Sequence, residues 1–438
     1  MTAAIRATPR VALVLPGGGA RGAYEAGALS VLLPLLAARG ERPTIICGTS
    51  VGAINAAMLA SVAHLDAERQ AAALVARWTG LRRGQVVSRV LGPATLRTAA
   101  RVALGRLGLP GGTGSAGLLD PSPLTRSLDD WVDWNAVHRN VAAGHVHALC
   151  TVATSLERGG PVAFVETAGR VPERRPGEEL AYVGTRLAKP HVMASAAIPF
   201  VFPPVHVPAP AGAEGWFIDG GTRLNAPLKP ALRLGADRVV VIGVAPFAAG
   251  PAAQRPSGGP PSLGDVASNV LDGLLVDQVG ADLHRLAAVN AHFVEGTLNS
   301  AAGAARRYRA GSGASPYRRI SYALVAPAER GEAARLAQEA VNERIGGLRA
   351  LRDPEHALLS ALLGTGERGA ELLSFLLFDS GFAQRLVDAG RRDAQRWVDR
   401  HPGLWCADGA HDLDLLPGDP EAAREVTAVE EWRSLRRR

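Results

Sequence analysis

The chain has 438 residues, 47% hydrophobic and 20% charged, which is enough apolar material for the core of one large domain or of two or three smaller ones. Its three cysteines, Cys47, Cys150 and Cys406, are odd in number and far apart, which argues against a disulfide framework and fits a reducing compartment. A net charge of +7 favours anionic surfaces, yet only Lys189 and Lys229 are lysines and no basic stretch is interleaved with aromatics, so no nucleic-acid partner is expected.

Residues 11–15, Val-Ala-Leu-Val-Leu, read as a short strand buried on both faces. The run is too brief for a signal peptide, because Pro16 and three glycines end it. A glycine loop and a helix from about residue 23 follow. Residues 44–47 form a second apolar strand, followed by a glycine-flanked turn and a small-residue helix over 51–59. This alternation is the βαβ rhythm of a doubly wound α/β domain. Further strands are expected at 147–153, 161–166, 216–218 and 238–244.

Two uncharged stretches, 43–65 and 190–213, have the length of membrane spans. The first contains Gly48, Ser50, Gly52, Asn55 and His64, and the second is broken by prolines at 199, 203, 204, 208 and 210, so both are assigned to the fold. A soluble, cytoplasmic protein is expected. Residues 82–108 carry six arginines and no acidic residue. This segment is either a solvated helix or a basic amphipathic one, serving as a lid or in peripheral contact with a membrane. Residues 249–262, rich in Pro, Gly and Ala, form a loop or linker. The remainder is mainly helical, with one strand at about 320–325.

Three blocks carry chemistry. Gly48-Thr49-Ser50-Val51-Gly52 matches the nucleophile elbow GxSxG and sits between a strand and a helix, where that motif belongs. Gly17-Gly18-Gly19-Ala20-Arg21-Gly22 follows the first strand. Glycines leave backbone N–H groups unobstructed, as an oxyanion hole requires, and Arg21 can add a positive charge or brace the loop. The same residues satisfy the dinucleotide pattern GxGxxG, but the next strand ends in Gly-Thr-Ser and not in the acidic residue that would hold a ribose. Asp219-Gly220-Gly221 follows the apolar strand 216–218. An Asp-Gly pair alone signals only a turn.

Together, a glycine loop, a serine elbow on the next strand and a later strand ending in DGG resemble the patatin-like phospholipases. Ala194-Ser195-Ala196-Ala197-Ile198-Pro199 running into Phe202-Pro203-Pro204-Val205, then Asn225 and Pro227, fit the same family, as does Leu119-Asp120-Pro121-Ser122-Pro123-Leu124. Residues 317–327 and 372–394, the latter containing Ser374 to Asp379, are similar to the C-terminal region of some bacterial members. The resemblance implies a three-layer α/β fold with a mostly parallel central sheet, helices on both faces and a mainly helical C-terminal extension. It implies a catalytic domain over 8–248 and a helical region over 263–438 packed on it.

The resemblance also assigns roles. Ser50 becomes the nucleophile and Asp219 its base, Gly17, Gly18, Gly19 and Arg21 the oxyanion loop, Gly48 and Gly52 the elbow, and Gly220 and Gly221 the DGG turn. The implied activity is hydrolysis of lipid or phospholipid acyl esters, with no cofactor and no metal. Phe200, Phe217 and Ile218 are expected as dry walls around the carboxylate. Two other readings stay open. One is an α/β-hydrolase triad using His284, His292, His356, His401 or His411, although the elbow follows the second strand, early for that fold. The other is a catalytically silent lipid-binding module. His145 and His147 lack a third ligand and read as structural. Oligomeric state is not legible.

Overall fold

The computed structural model describes residues 9–86, 120–175, 177–199, 201–246, 319–345 and 367–406, with isolated positions 283, 286 and 290. The linker 249–262, Phe200 and the basic stretch beyond position 86 lie outside the described residues.

A central sheet carries the fold, in the order β5-β4-β3-β2-β1-β8-β9. These strands are β1 (Val11–Leu15), β2 (Pro43–Thr49), β3 (Ala148–Ser155), β4 (Pro161–Thr167), β5 (Ala181–Gly184), β8 (Arg238–Ile242) and β9 (Ser321–Val325). A branch, β6 (Val205–Val207) with β7 (Gly215–Asp219), joins β3. The steps β3-β2, β2-β1, β1-β8 and β8-β9 are parallel, while β3 meets β4 and β7 antiparallel. All five residues of β1 are fully buried. Side chains alternate between faces along a strand, so both faces of the sheet are covered here, as the unbroken apolar run requires. Each such Val or Leu contributes about 1.5–3 kcal/mol of burial.

The strands expected from sequence form, with ends shifted by one or two residues. The two unanticipated strands, β5 and β6, are only 4 and 3 residues long and half-buried, too short for a periodic signal. β9 adds the last parallel strand, so residues beyond the linker belong to the same sheet.

Helix α1 (Gly22–Ala38) leads from the glycine loop, and α2 (Val51–Ser61) from the serine turn. Helices α3 (Ala67–Thr79), α4 (Ser122–Trp131) and α5 (Trp134–Ala142) precede β3. Helix α6 (Lys189–Ser195) occupies the start of the proline-rich stretch and α7 (Leu228–Arg233) follows the DGG turn. At the C-terminal end come α8 (Glu332–Ile345), α9 (Glu367–Leu376) and α10 (Ser380–Arg400). Among the described residues no helix is long and apolar enough to cross a membrane.

Helix α10 starts where Asp379 Oδ1 accepts the Gly381 and Phe382 amides at 2.9 and 3.1 Å. It buries Phe382, Leu386, Ala389, Gly390, Asp393 and Trp397, one face at helical spacing, against α1. The two backbones nearly touch: a Cβ on Gly390 would lie 2.1 Å from the Tyr24 carbonyl oxygen, and one on Gly27 2.0 Å from that of Val387. The Tyr24 hydroxyl donates to Asp393 Oδ2 at 2.8 Å beside this crossing. Gly390→Ala adds about 1 kcal/mol of helix propensity, yet it must separate the helices. A net loss of about 1–3 kcal/mol is expected, read from the urea midpoint at unchanged slope.

Candidate active site

Topology brings the candidate residues together. β2 and β7 occupy consecutive stretches of the same edge of β3 and run toward each other. Thr49, the last residue of β2, lies opposite Val152, and Asp219, the last of β7, opposite Ala153. The residue after Thr49 and the side chain of Asp219 therefore meet where the two strands abut. A Cβ on Gly220 would sit 2.2 Å from the Val152 carbonyl oxygen and 3.0 Å from Thr49 Cγ2, so only glycine passes through the gap.

Ser50 turns the chain from β2 into α2 with φ 54° and ψ −124°, one of two non-glycine residues at positive φ among the described residues. That conformation costs about 1–3 kcal/mol and persists only where its surroundings enforce it. Here the Ser50 amide donates to Ser195 Oγ at 2.9 Å, and Ser195 Oγ donates in turn to the Val152 carbonyl at 2.5 Å. The Ser50 carbonyl accepts from the Ala53 and Ile54 amides, starting α2, whose positive end lies at this turn. The flanking glycines are required by contact: a Cβ on Gly48 would meet the Gly52 carbonyl oxygen at 2.2 Å, and one on Gly52 the Leu15 carbonyl oxygen at 2.0 Å.

The glycine loop lies against the serine. A Cβ on Gly17 would be 2.9 Å from Ser50 Cβ. The three glycines do not share one job, however. The Gly17 amide donates to Asn225 Oδ1 at 2.8 Å, and Asn225 Nδ2 reaches the Gly17 carbonyl at 3.5 Å. Across a planar trans peptide, N–H and C=O point in opposite directions. With the Gly17 carbonyl turned to Asn225, the Gly18 N–H faces away from it. With the Gly18 carbonyl accepting from the Arg21 amide at 3.1 Å, the Gly19 N–H faces away from the helix start. No described group accepts from the Gly18 or Gly19 amide. The sequence places all three glycines in an oxyanion loop; in the structure the open donors are Gly18 and Gly19, while Gly17 is the anchor.

Asp219 is completely buried. Its Oδ1 accepts the Gly221 amide at 2.7 Å, and its own amide donates to the Ala197 carbonyl at 2.9 Å. Oδ2 has no partner at hydrogen-bond geometry, although the Ser50 hydroxyl is close enough to favour the charged carboxylate. Contacts of this kind are often loose before substrate binds. Burial pushes the Asp219 carboxyl up to about 7, against the opposing pull of Ser50 and Gly221. Phe217, on the same face of β7, is buried and packs edge-on against Phe164 with ring centroids 5.3 Å apart, while Ile218 is half-buried.

The Arg21 side chain runs into α9, where Glu371 and Ser374 bind its guanidinium. Of the histidines that follow Asp219, only His401 is described, and it stacks on Trp397. His191 is bonded to the Ala188 amide and faces the Ala209 carbonyl. No described imidazole is bonded to Ser50 or Asp219. Among the described residues no three His, Cys, Asp or Glu side chains converge as a metal site. Sequence reading gave no role to Ser195 or Asn225. Both lie in stretches that fitted the family pattern, and that fit was the available signal.

The sequence pattern of the patatin-like phospholipases matches residues 13–232, from β1 to α7. The chain belongs to the patatin-like phospholipase family, and so to the lipid acyl hydrolases in general. No curated protein matches it significantly. Among solved structures, the crystal structure of VipD from Legionella pneumophila is similar at 14% identity and a TM-score of 0.33, covering 90% of this chain and 67% of that one.

Proposed function

We propose that the chain hydrolyses carboxylic esters of lipids, in the phospholipase A, lysophospholipase and glyceride esterase range, through a Ser50–Asp219 dyad. In the first half-reaction Ser50 Oγ attacks the ester carbonyl carbon while its proton passes to Asp219. The Gly18 and Gly19 amides receive the oxyanion. Collapse expels the alcohol, which takes the proton from Asp219 and leaves an acyl-serine. Asp219 then deprotonates a water that attacks this ester, the acid departs, and the serine recovers its proton.

The observation that carries this reading is the abutment of β2 and β7 on one edge of β3, with a buried carboxyl against the serine turn. An aspartate at its ordinary value near 3.8 is a weak base for a hydroxyl, and one pushed up to about 7 is far better matched to neutral pH. A silent lipid-binding module would have no use for a carboxyl held buried with one oxygen unpartnered. The basic stretch 82–108 and the charge of +7 support peripheral contact with anionic lipid as part of the same reading.

Two measurements test it. A fluorophosphonate is expected to label Ser50, located by peptide mass, and to stop hydrolysis across a panel of phospholipid, lysophospholipid and glyceride substrates. The kcat/KM profile is expected to rise with pH through a single acid limb near 7, because the base must lose its proton. Label on another residue, or a limb near 4, overturns the dyad.

A further inference from the structure

The C-terminal helix α9 reaches the glycine loop through contacts that go beyond packing. Arg21, at the end of the loop, is 1% exposed, and its side chain points into α9. Its Nε and Nη2 donate to Ser374 Oγ at 2.9 and 2.6 Å, and Nη2 also donates to Glu371 Oε1 at 2.6 Å and to the Glu371 carbonyl at 3.3 Å. Ser374 Oγ donates its own proton to the Glu371 carbonyl at 2.6 Å, which turns its lone pairs toward the guanidinium. The guanidinium carbon lies 3.8 Å from the centre of the Phe375 ring. Two residues before Arg21, a Cβ on Gly19 would fall 2.3 Å from the Phe375 carbonyl oxygen, so the loop backbone rests directly on the helix.

These contacts act on the peptides that present the open amides. The Arg21 amide holds the Gly18 carbonyl, and that bond fixes the direction of the Gly19 N–H. On the other side of the loop Asn225 fixes Gly17 and thereby the Gly18 N–H. The donor pair is thus set from two ends, one belonging to the DGG segment and the other to residues more than three hundred positions away. The corner between α9 and α10 is itself capped by Asp379, and α10 is locked to α1, which begins at Gly22.

We propose that Ser374 and Glu371 are positioning residues for the ester hydrolysis, and that α9, through Arg21, sets the orientation of the Gly18 and Gly19 amides. This rests on the reading of those amides as the oxyanion donors. Geometry of this kind acts on the transition state more than on the bound ester, because full negative charge develops only there.

The test uses the full chain with Ser374→Ala and Glu371→Gln. Each is expected to lower kcat about 10–100-fold with KM within about two-fold, as a donor displaced by a fraction of an ångström would. A trifluoromethyl ketone, which forms an oxyanion adduct on the serine, should lose affinity by the same factor, while the acid limb of the pH profile stays where it is. A role confined to packing would lower the melting temperature and leave kcat and ketone affinity of the folded protein unchanged. Should Ser374→Ala fail to fold, Glu371→Gln, a near-isosteric change at a side chain that still reaches solvent (19% exposed), decides alone. Wild-type kcat and ketone binding in a folded variant overturn the proposal. A Ser50→Ala chain that still turns over ester overturns the dyad instead, so the two failures are distinguishable.

Discussion

Asp219→Asn is expected to cost at least about 10⁴-fold in kcat and, at pH 8, to give a protein more stable than the wild type. The rate falls because an amide cannot accept the serine proton. Stability moves the other way because the native state holds a carboxyl that burial raises from 3.8 to about 7. Below the unfolded value both states are protonated and the site costs nothing. As the pH rises the unfolded chain ionises first, so the cost grows from about pH 4 and is complete above about pH 7. A shift of about 3 units at about 1.4 kcal/mol each bounds it near 4 kcal/mol. Denaturant midpoints of both proteins at pH 4.5 and 8 check this. The gain should be small at the lower pH and largest at the higher, and an asparagine variant less stable at pH 8 would contradict the raised carboxyl.

Ser50 gives the second large effect. Ser50→Ala is expected to lose about 10⁴-fold or more in turnover with substrate binding retained. Ser50→Gly should be equally inactive yet more stable than the alanine variant by about 1 kcal/mol, because glycine adopts a positive φ without a Cβ penalty. Comparing two dead variants separates backbone strain from chemistry, since neither has a hydroxyl. Equal melting temperatures would mean that the turn at φ 54° carries no strain.

Much of this architecture was legible in the residues because the parallel strands are continuous apolar runs and the loops between them are spelled in glycine. Val11–Leu15 and Arg238–Ile242 announce themselves in that way. The site was legible as a set of motifs but not as an arrangement. Nothing in Gly17-Gly18-Gly19 distinguishes an anchored amide from an open one, since the difference lies in Asn225, 208 positions later. Arg21 looked equally suited to facing an anion or bracing a loop, and its direction depends on Glu371 and Ser374, which no local pattern connects to it. Short strands such as Val205–Val207 escaped notice because three residues cannot establish a period.

The end-to-end meeting of two strands on a shared neighbour makes chain length within β7 matter far more than chain length before it. Adding or removing residues in the connection 208–214 leaves the last ladder rungs of Phe217, Ile218 and Asp219 as they are. A single residue inserted between Phe217 and Asp219 would slide the carboxylate by about 3.3 Å along the edge and turn it to the opposite side of the sheet. Loop diversity there is cheap, whereas the spacing from Phe217 to Asp219 admits no indel.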